Sequence, residues 1–334
     1  MQNYPHTAAA RAGLELTDVS CTDATIADLF APKKDVPAQT DALSASTSVV
    51  SLTIGGNDLG FASVLQSCLA ASAQGPLLSG EASCRAKYTV GGVDTLSKKV
   101  TDRVAPALRD AVTRIRAKAP NARVVVVGYP ALMPDAVHTP AGGCFASLKL
   151  FGTSFPYATA DLAYMNSVQS TLDVQSKAAA EAAGADYVSL MGNTFDHSSC
   201  SASPYLNPVE LSGLSASPAN LHPNATGLAY AGQAVGNVLA APRGFQGVTG
   251  IVVPLGGSEF ELQITVPNAT LFTTPEVTAQ LNGYYLSHVS GEFGWYLGVR
   301  QVGDGRVYHQ SLTLKPGDSV QLRTASGAIQ KLTR

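Results

Sequence analysis

The sequence predicts an α/β domain built on a doubly wound parallel sheet, followed by a small antiparallel β domain. Strands alternate with amphipathic helices through about residue 240. Among them, Val124-Val125-Val126-Val127 is apolar throughout, as expected of a parallel strand covered on both faces. Beyond Ala241-Pro242-Arg243-Gly244 the pattern changes. Phe260, Leu262, Ile264 and Val266 alternate with Glu261, Gln263 and Thr265, the period of a strand with one wet face. The predicted domains are therefore residues 1–241 and 242–334. A chain of 334 residues, 45% hydrophobic, carries enough apolar surface for both cores.

Taken in order, Tyr4 to Leu14 spaces its apolar residues by three and four, which predicts a short helix. Val19 reads as a strand end, followed by a turn over Ser20 to Thr25 and a new helix. Residues 32–47 are polar and contain proline, a surface connection. Val49 to Ile54 reads as a buried strand that runs into Gly55-Gly56-Asn57-Asp58, with a helix following to about Leu69. Cys68 and Cys84 bracket a Gly- and Ser-rich loop that suits a local disulfide. Asp94 to Lys118 is the clearest amphipathic helix. Val100, Val104, Leu108, Val112 and Ile115 share one face, and Pro106 is placed to kink it.

Arg123 to Pro130 is the apolar strand, and residues 131–156 form a loop with His138 and Cys144. A long helix over Ala158 to Ala183, a strand over Ala185 to Leu190 and a long loop over 191–220 follow. A structureless loop of that length is more often functional than idle. Asn220 to Gly227 opens the last helix, which runs to about Leu239. In the β domain, Tyr284-Tyr285-Leu286 and Gly294 to Val299 add strands between Gly and Asp-Gly turns, which predicts a sandwich.

Charge and composition exclude several functions. Only 14% of residues are charged, the net charge is −2 and no basic block occurs, so a nucleic-acid partner is not expected. No apolar run is long enough to span a membrane. Met1-Gln2-Asn3-Tyr4-Pro5 is too polar for a signal peptide. The five cysteines (Cys21, Cys68, Cys84, Cys144, Cys200) lack CxxC spacing, so zinc is not expected. Low charge, abundant small residues and scattered cysteines fit a secreted protein with disulfides. The odd cysteine and the polar start suggest that this chain begins inside a longer precursor.

Two places could carry chemistry. Asn57 sits beyond the carboxyl end of a strand, where open α/β sheets hold their sites, and its amide could donate to a developing oxyanion. By itself the Gly-Gly-Asn-Asp turn is equally an ordinary strand-to-helix turn with an N-cap. Of the six histidines, His222 stands out. It opens the final helix after the long loop, placed to act as general base for a hydroxyl nucleophile.

Together these residues resemble the SGNH (GDSL) hydrolases, most closely the secreted actinobacterial lipases and esterases. Gly55-Gly56-Asn57-Asp58 matches the family's oxyanion block, and His222-Pro223-Asn224 with Gly227 its histidine block. Asp18 to Thr25 resembles its Cys-Ser-Gly-Ala-Thr block, and Asn121 to Pro130 the intervening strand. The resemblance spans about residues 3–240 and implies a three-layer α/β/α, flavodoxin-like fold. It implies a serine ester hydrolase acting on an ester or lipid, without metal or cofactor. The oxyanion would be held by Asn57 with backbone groups at Asp23 and Gly56. It further implies disulfides Cys68–Cys84 and Cys144–Cys200, with Cys21 paired to an upstream cysteine.

The chain departs from that pattern in three ways. The Gly-Asp-Ser block that opens the family, on a central strand, has no counterpart before Asn3-Tyr4-Pro5. Without that strand, neighbouring backbone groups lose partners at about 1–3 kcal/mol for each one buried. A truncated reading frame, or another segment filling the gap, is therefore expected. Asp23 replaces a glycine, bringing a carboxylate beside the oxyanion site. Ala219 stands three before the histidine, where the family usually has Asp, so no carboxylate there can orient His222; the resemblance to lipases of this subgroup that use a main-chain carbonyl leaves a Ser–His dyad open. A literal Gly317-Asp318-Ser319 raises circular permutation with Ser319 as nucleophile, but Pro316-Gly317-Asp318 reads better as a hairpin turn. A non-catalytic binding module on the same fold is the rival class.

Overall fold

The computed structural model describes all residues except 1–2, 213–214, 218, 241–247, 268–276, 291–292, 296, 303–304, 325–328 and 333–334. The composition change at 241–244 and Tyr296 lie outside the described residues. Contacts divide the chain into two units, residues 17–229 and residues 3–16 with 230–334.

The first unit is mixed α/β around a parallel sheet. β1 (Val49–Leu52), β2 (Arg123–Val127) and β3 (Asp186–Val188) pair in parallel with β2 in the middle. Val124 to Val127 are at most 2% exposed, as their unbroken apolar run requires. β1 differs: three of its four residues are only half-buried. Among the described residues no strand pairs with its other edge. Residues 14–21, expected to end a strand near Val19, form none, and Val19 is 40% exposed. A strand needs a neighbour to satisfy its backbone, and here none is bonded to it.

The predicted helix after Thr25 is only a 3₁₀ turn, Ala27–Leu29. Helix α1 (Tyr4–Ala12), in the second unit, stops where Gly13 turns left-handed. Helix α2 (Phe61–Ser67) follows the Gly-Gly-Asn-Asp turn. The amphipathic stretch after Asp94 is built in three pieces: an α-helical turn Thr95–Lys99, a π turn Val100–Val104, and α3 (Ala105–Lys118). Asp94 caps its start by accepting from the backbone N–H groups of Leu96 and Ser97. The wider turn falls where Pro106 has no N–H and its ring crowds the preceding carbonyls, so the expected kink takes the form of a π segment. α4 (Thr159–Ala182) packs on α3 and against β2 and β3. α5 (Ala225–Ala240) begins in the first unit and continues into the second.

The second unit contains two antiparallel sheets. Their strands are β4 (Thr249–Gly256), β5 (Glu259–Pro267), β6 (Val277–Leu281), β7 (Tyr284–Ser290), β8 (Phe293–Trp295), β9 (Gly298–Val302), β10 (Gly305–Thr313), β11 (Val320–Thr324) and β12 (Ile329–Leu332). One sheet runs β9-β10-β5-β4, the other β8-β7-β6-β11-β12. Both feed a single core. Leu262, Ile264 and Val266 of one sheet and Val277, Ala279, Val289 and Leu322 of the other are fully buried in it. Glu261, Gln263 and Thr265 lie between the buried residues and stay half-exposed, which is the alternation read from the sequence.

Two disulfides staple the first unit, Cys68–Cys84 and Cys144–Cys200, in the pairing that the family resemblance implies. Cys21 is free and half-buried. Among the described residues no helix is long and apolar enough to cross a membrane. The Cys144–Cys200 bridge closes a 56-residue separation. Replacing both cysteines by serine should therefore lower unfolding stability by about 2–4 kcal/mol, read as a shift in denaturant midpoint against the oxidised wild type.

Candidate active site

The turn after β1 is shaped by its glycines. Gly55 has φ of 106°, open to glycine and strained for other residues, and it reverses the chain into a short helical turn, Gly56–Leu59. Asn57 is thereby presented, solvent-exposed, beyond the carboxyl end of β1. Its Nδ2 donates to the carbonyl of Ala24 at 3.0 Å. The neighbouring Asp58 carboxylate accepts from the Ile26 N–H at 3.0 and 3.1 Å. These bonds fasten the loop Cys21–Ile26 to the turn.

Asp23 sits inside that loop with φ of 57°. The Ala24 N–H closes the turn onto the Cys21 carbonyl at 3.3 Å. The left-handed conformation explains why glycine suits this position, and aspartate is among the few residues that tolerate it. Asp23 is exposed, so water solvates its carboxylate. The structure thus places the Asp23 backbone one residue from the carbonyl that Asn57 grips. Gly56 is used differently: its N–H donates to the Tyr129 hydroxyl at 3.0 Å, which ties the end of β1 to the residues after β2. A donor so engaged is not free for an oxyanion.

His222 is held by its backbone. Its carbonyl accepts from the Asn207 N–H at 2.8 Å and from Asn207 Nδ2 at 3.1 Å, and its N–H donates to the Ala219 carbonyl at 3.1 Å. The preceding Leu221 is left-handed, φ 57°, and buried in the same core as Ile54 and Leu59. The His222 ring is exposed, and its Nδ1 lies 3.1 Å from the Asn220 carbonyl oxygen. A carbonyl only accepts, so this contact assigns the proton to Nδ1 and leaves the Nε2 lone pair available as a base. Asn224 caps α5 by accepting from the Gly227 N–H at 3.0 Å. Gly227 is fixed by close approach, since a Cβ there would lie 2.2 Å from the Tyr205 carbonyl oxygen.

Ser319, in the second unit, is exposed in the turn before β11. Its N–H donates to Asn282 Oδ1 at 2.9 Å, and the strand that follows continues the sandwich. The other five histidines have local partners: His6 with Asn3, His138 with Asp135, His197 stacked on Tyr205 at 3.9 Å, His288 with Tyr285, and His309 beside Glu261. Sequence reasoning missed Tyr129 and Asn207, which meet Gly56 and His222 across 73 and 15 positions.

A family model, described as GDSL-like lipase/acylhydrolase, matches residues 1–230. The chain belongs to that family. It is a hydrolase of the lipase and esterase type. Lipase 2 of Streptomyces coelicolor is 37% identical over 229 residues, 67% of this chain and 71% of the relative. An esterase of Streptomyces scabiei is 29% identical over 60% of this chain, which spans 63% of that relative. Among solved structures, a phospholipase A1 from Streptomyces albidoflavus aligns with a TM-score of 0.54 at 29% identity, over 71% of this chain and 86% of that one. This GDSL family member thus shares its α/β region with these relatives.

Two carboxylates of the block around Asp23 titrate in opposite directions. Burial pushes Asp58 above 3.8, against the Ile26 N–H that favours its charge. The Thr25 backbone and hydroxyl hold Asp28 below 3.8. Asp58's contribution to stability is therefore full at low pH and lost as pH rises through its folded pKa. Asp28's is present above 3.8 and lost as pH falls through its lowered value. NMR titration should show the two midpoints on opposite sides of 3.8. In the histidine block, Gly227→Ala should cost about 1–3 kcal/mol by driving α5 off Tyr205, measured by thermal unfolding.

Proposed function

We propose that this chain is a secreted serine ester hydrolase. His222 is its general base, Asn57 and the Asp23 N–H receive the oxyanion, and the serine is carried on a strand that pairs with the open edge of β1. The observation that carries the reading is the contact between His222 Nδ1 and the Asn220 carbonyl, which sets the tautomer that a base requires. Secretion is supported by the two disulfides and by likeness to an extracellular lipase of Streptomyces rimosus, 25% identical with a TM-score of 0.50.

In this mechanism serine Oγ attacks the ester carbonyl carbon as its proton passes to His222 Nε2. The carbonyl π electrons move onto oxygen, where the Asn57 amide stabilises the charge. Collapse re-forms the carbonyl and expels the alcohol, which takes the proton from His222. Water then repeats the sequence and releases the acid. No metal or cofactor takes part in these steps.

A fluorophosphonate probe tests the assignment on two forms, the chain itself and a form extended upstream through an apolar strand ending in Gly-Asp-Ser. Labelling of the extended form at the added serine, abolished by His222→Ala, is the expected result. Labelling of the chain at Ser319 would replace it with a permuted enzyme. Labelling of neither folded form would make the protein a binding module. In the active form, Asn57→Ala should lower kcat by about 10²–10³.

A further inference from the structure

The loop between β2 and α4 carries an apolar tip with no role in the chemistry above. Residues 147–153 are all exposed, while the residues that follow, 154–158, are all buried. Within the tip, Phe151 is 77% exposed, Leu150 55% and Leu148 37%. Its base is tightly closed. Ala146 and Phe155 exchange both backbone hydrogen bonds at 2.9 Å, Lys149 N–H donates to Ser154 Oγ at 3.0 Å, and Cys144 is bridged to Cys200. The apolar side chains are therefore held out in water by an ordered anchor, at a hydration cost that a soluble surface loop has no reason to carry.

The charge pattern indicates what covers them. No aspartate or glutamate occurs from Ala136 to Ala160, and Lys149 stands between Leu148 and Leu150. Large apolar side chains around a lysine can enter an acyl layer while the ammonium reaches the anionic headgroups above it. The tip also connects to the candidate site. Thr153 and Ser154 pair with Glu210 and Val209. Glu210 is held through its N–H and carbonyl by the Asn220 side chain, at 3.0 and 2.9 Å, and the Asn220 carbonyl is the one that orients His222.

We infer that Leu148, Leu150 and Phe151, with Lys149, form a docking tip for an anionic lipid surface, so that the enzyme takes its ester substrates from an aggregated lipid phase. The choice of a lipid over a protein partner rests on the ester-hydrolase reading, whereas the test does not use catalysis. Co-sedimentation with phosphatidylcholine vesicles, with and without phosphatidylglycerol, reads it directly. The wild-type chain should bind the anionic vesicles, and Leu150→Ser/Phe151→Ser should weaken binding at least about tenfold with unchanged thermal unfolding. Lys149→Glu should weaken it on the order of tenfold on anionic vesicles and little on neutral ones. Equal binding by wild type and the double variant would overturn the proposal. So would absence of vesicle binding, or a dimer in solution that the same double substitution abolishes. No probe labelling of the chain or of the upstream-extended form, with vesicle binding intact, would refute the hydrolase reading alone.

Discussion

The candidate site depends on the attachment of one loop to another. Asn57 and Asp58 grip Ala24 and Ile26 through three hydrogen-bond contacts, and the loop around Asp23 has little regular structure of its own. The grip works because the two partners differ in kind. The amide of Asn57 donates through one N–H and keeps a second, so it can hold the loop and still face a substrate. The carboxylate of Asp58 can only accept when ionised, and burial raises the cost of its charge. Binding the Ile26 N–H offsets part of that cost, which couples the ionisation of Asp58 to the position of the loop.

The sheet behind this turn is uneven. The four valines of β2 are at most 2% exposed, whereas β1 is half-buried over most of its length and, among the described residues, bonded on one edge. An edge strand presents unpaired backbone N–H and C=O groups, which another strand can satisfy. Val19, which reads as strand in the sequence, lies in no strand and is 40% exposed. In the proposed mechanism the strand carrying the nucleophile would take the edge of β1 opposite β2, beside the turn that presents Asn57.

Much of this was legible in the sequence because the signals were local. Four consecutive valines specify β2, the alternation of Leu262, Ile264 and Val266 specifies its strand, and Pro106 specifies a fault in the long helix. Asn57 and His222 were found by their place in short blocks. What escaped was non-local or conformational. Nothing in the residues around Tyr129 shows that its hydroxyl will take the Gly56 N–H across 73 positions. The π form of the fault at Val100–Val104 depends on how the helix packs, not on proline alone. The Val19 strand failed for the same reason: its sequence is compatible with a strand, but pairing requires a neighbour.

The absence of a carboxylate at Ala219 has a physical consequence for His222. A carboxylate partner does two things for a catalytic histidine: it fixes the tautomer and ring orientation, and its charge stabilises the imidazolium formed when the base takes a proton. The Asn220 carbonyl performs the first through geometry and supplies only a partial charge for the second. Its position is in turn fixed by the Asn220 side chain, which holds both the N–H and carbonyl of Glu210, and by the Asn220 N–H bonded to the Ser217 carbonyl at 3.1 Å. Orientation therefore resides in the backbone, where no single side-chain loss removes the acceptor. In the proposed mechanism the remaining stabilisation of the imidazolium would fall on water, which reaches the exposed ring. A lipid phase seated on the nearby loop would exclude that water and leave the oxyanion donors to carry more of the transition state.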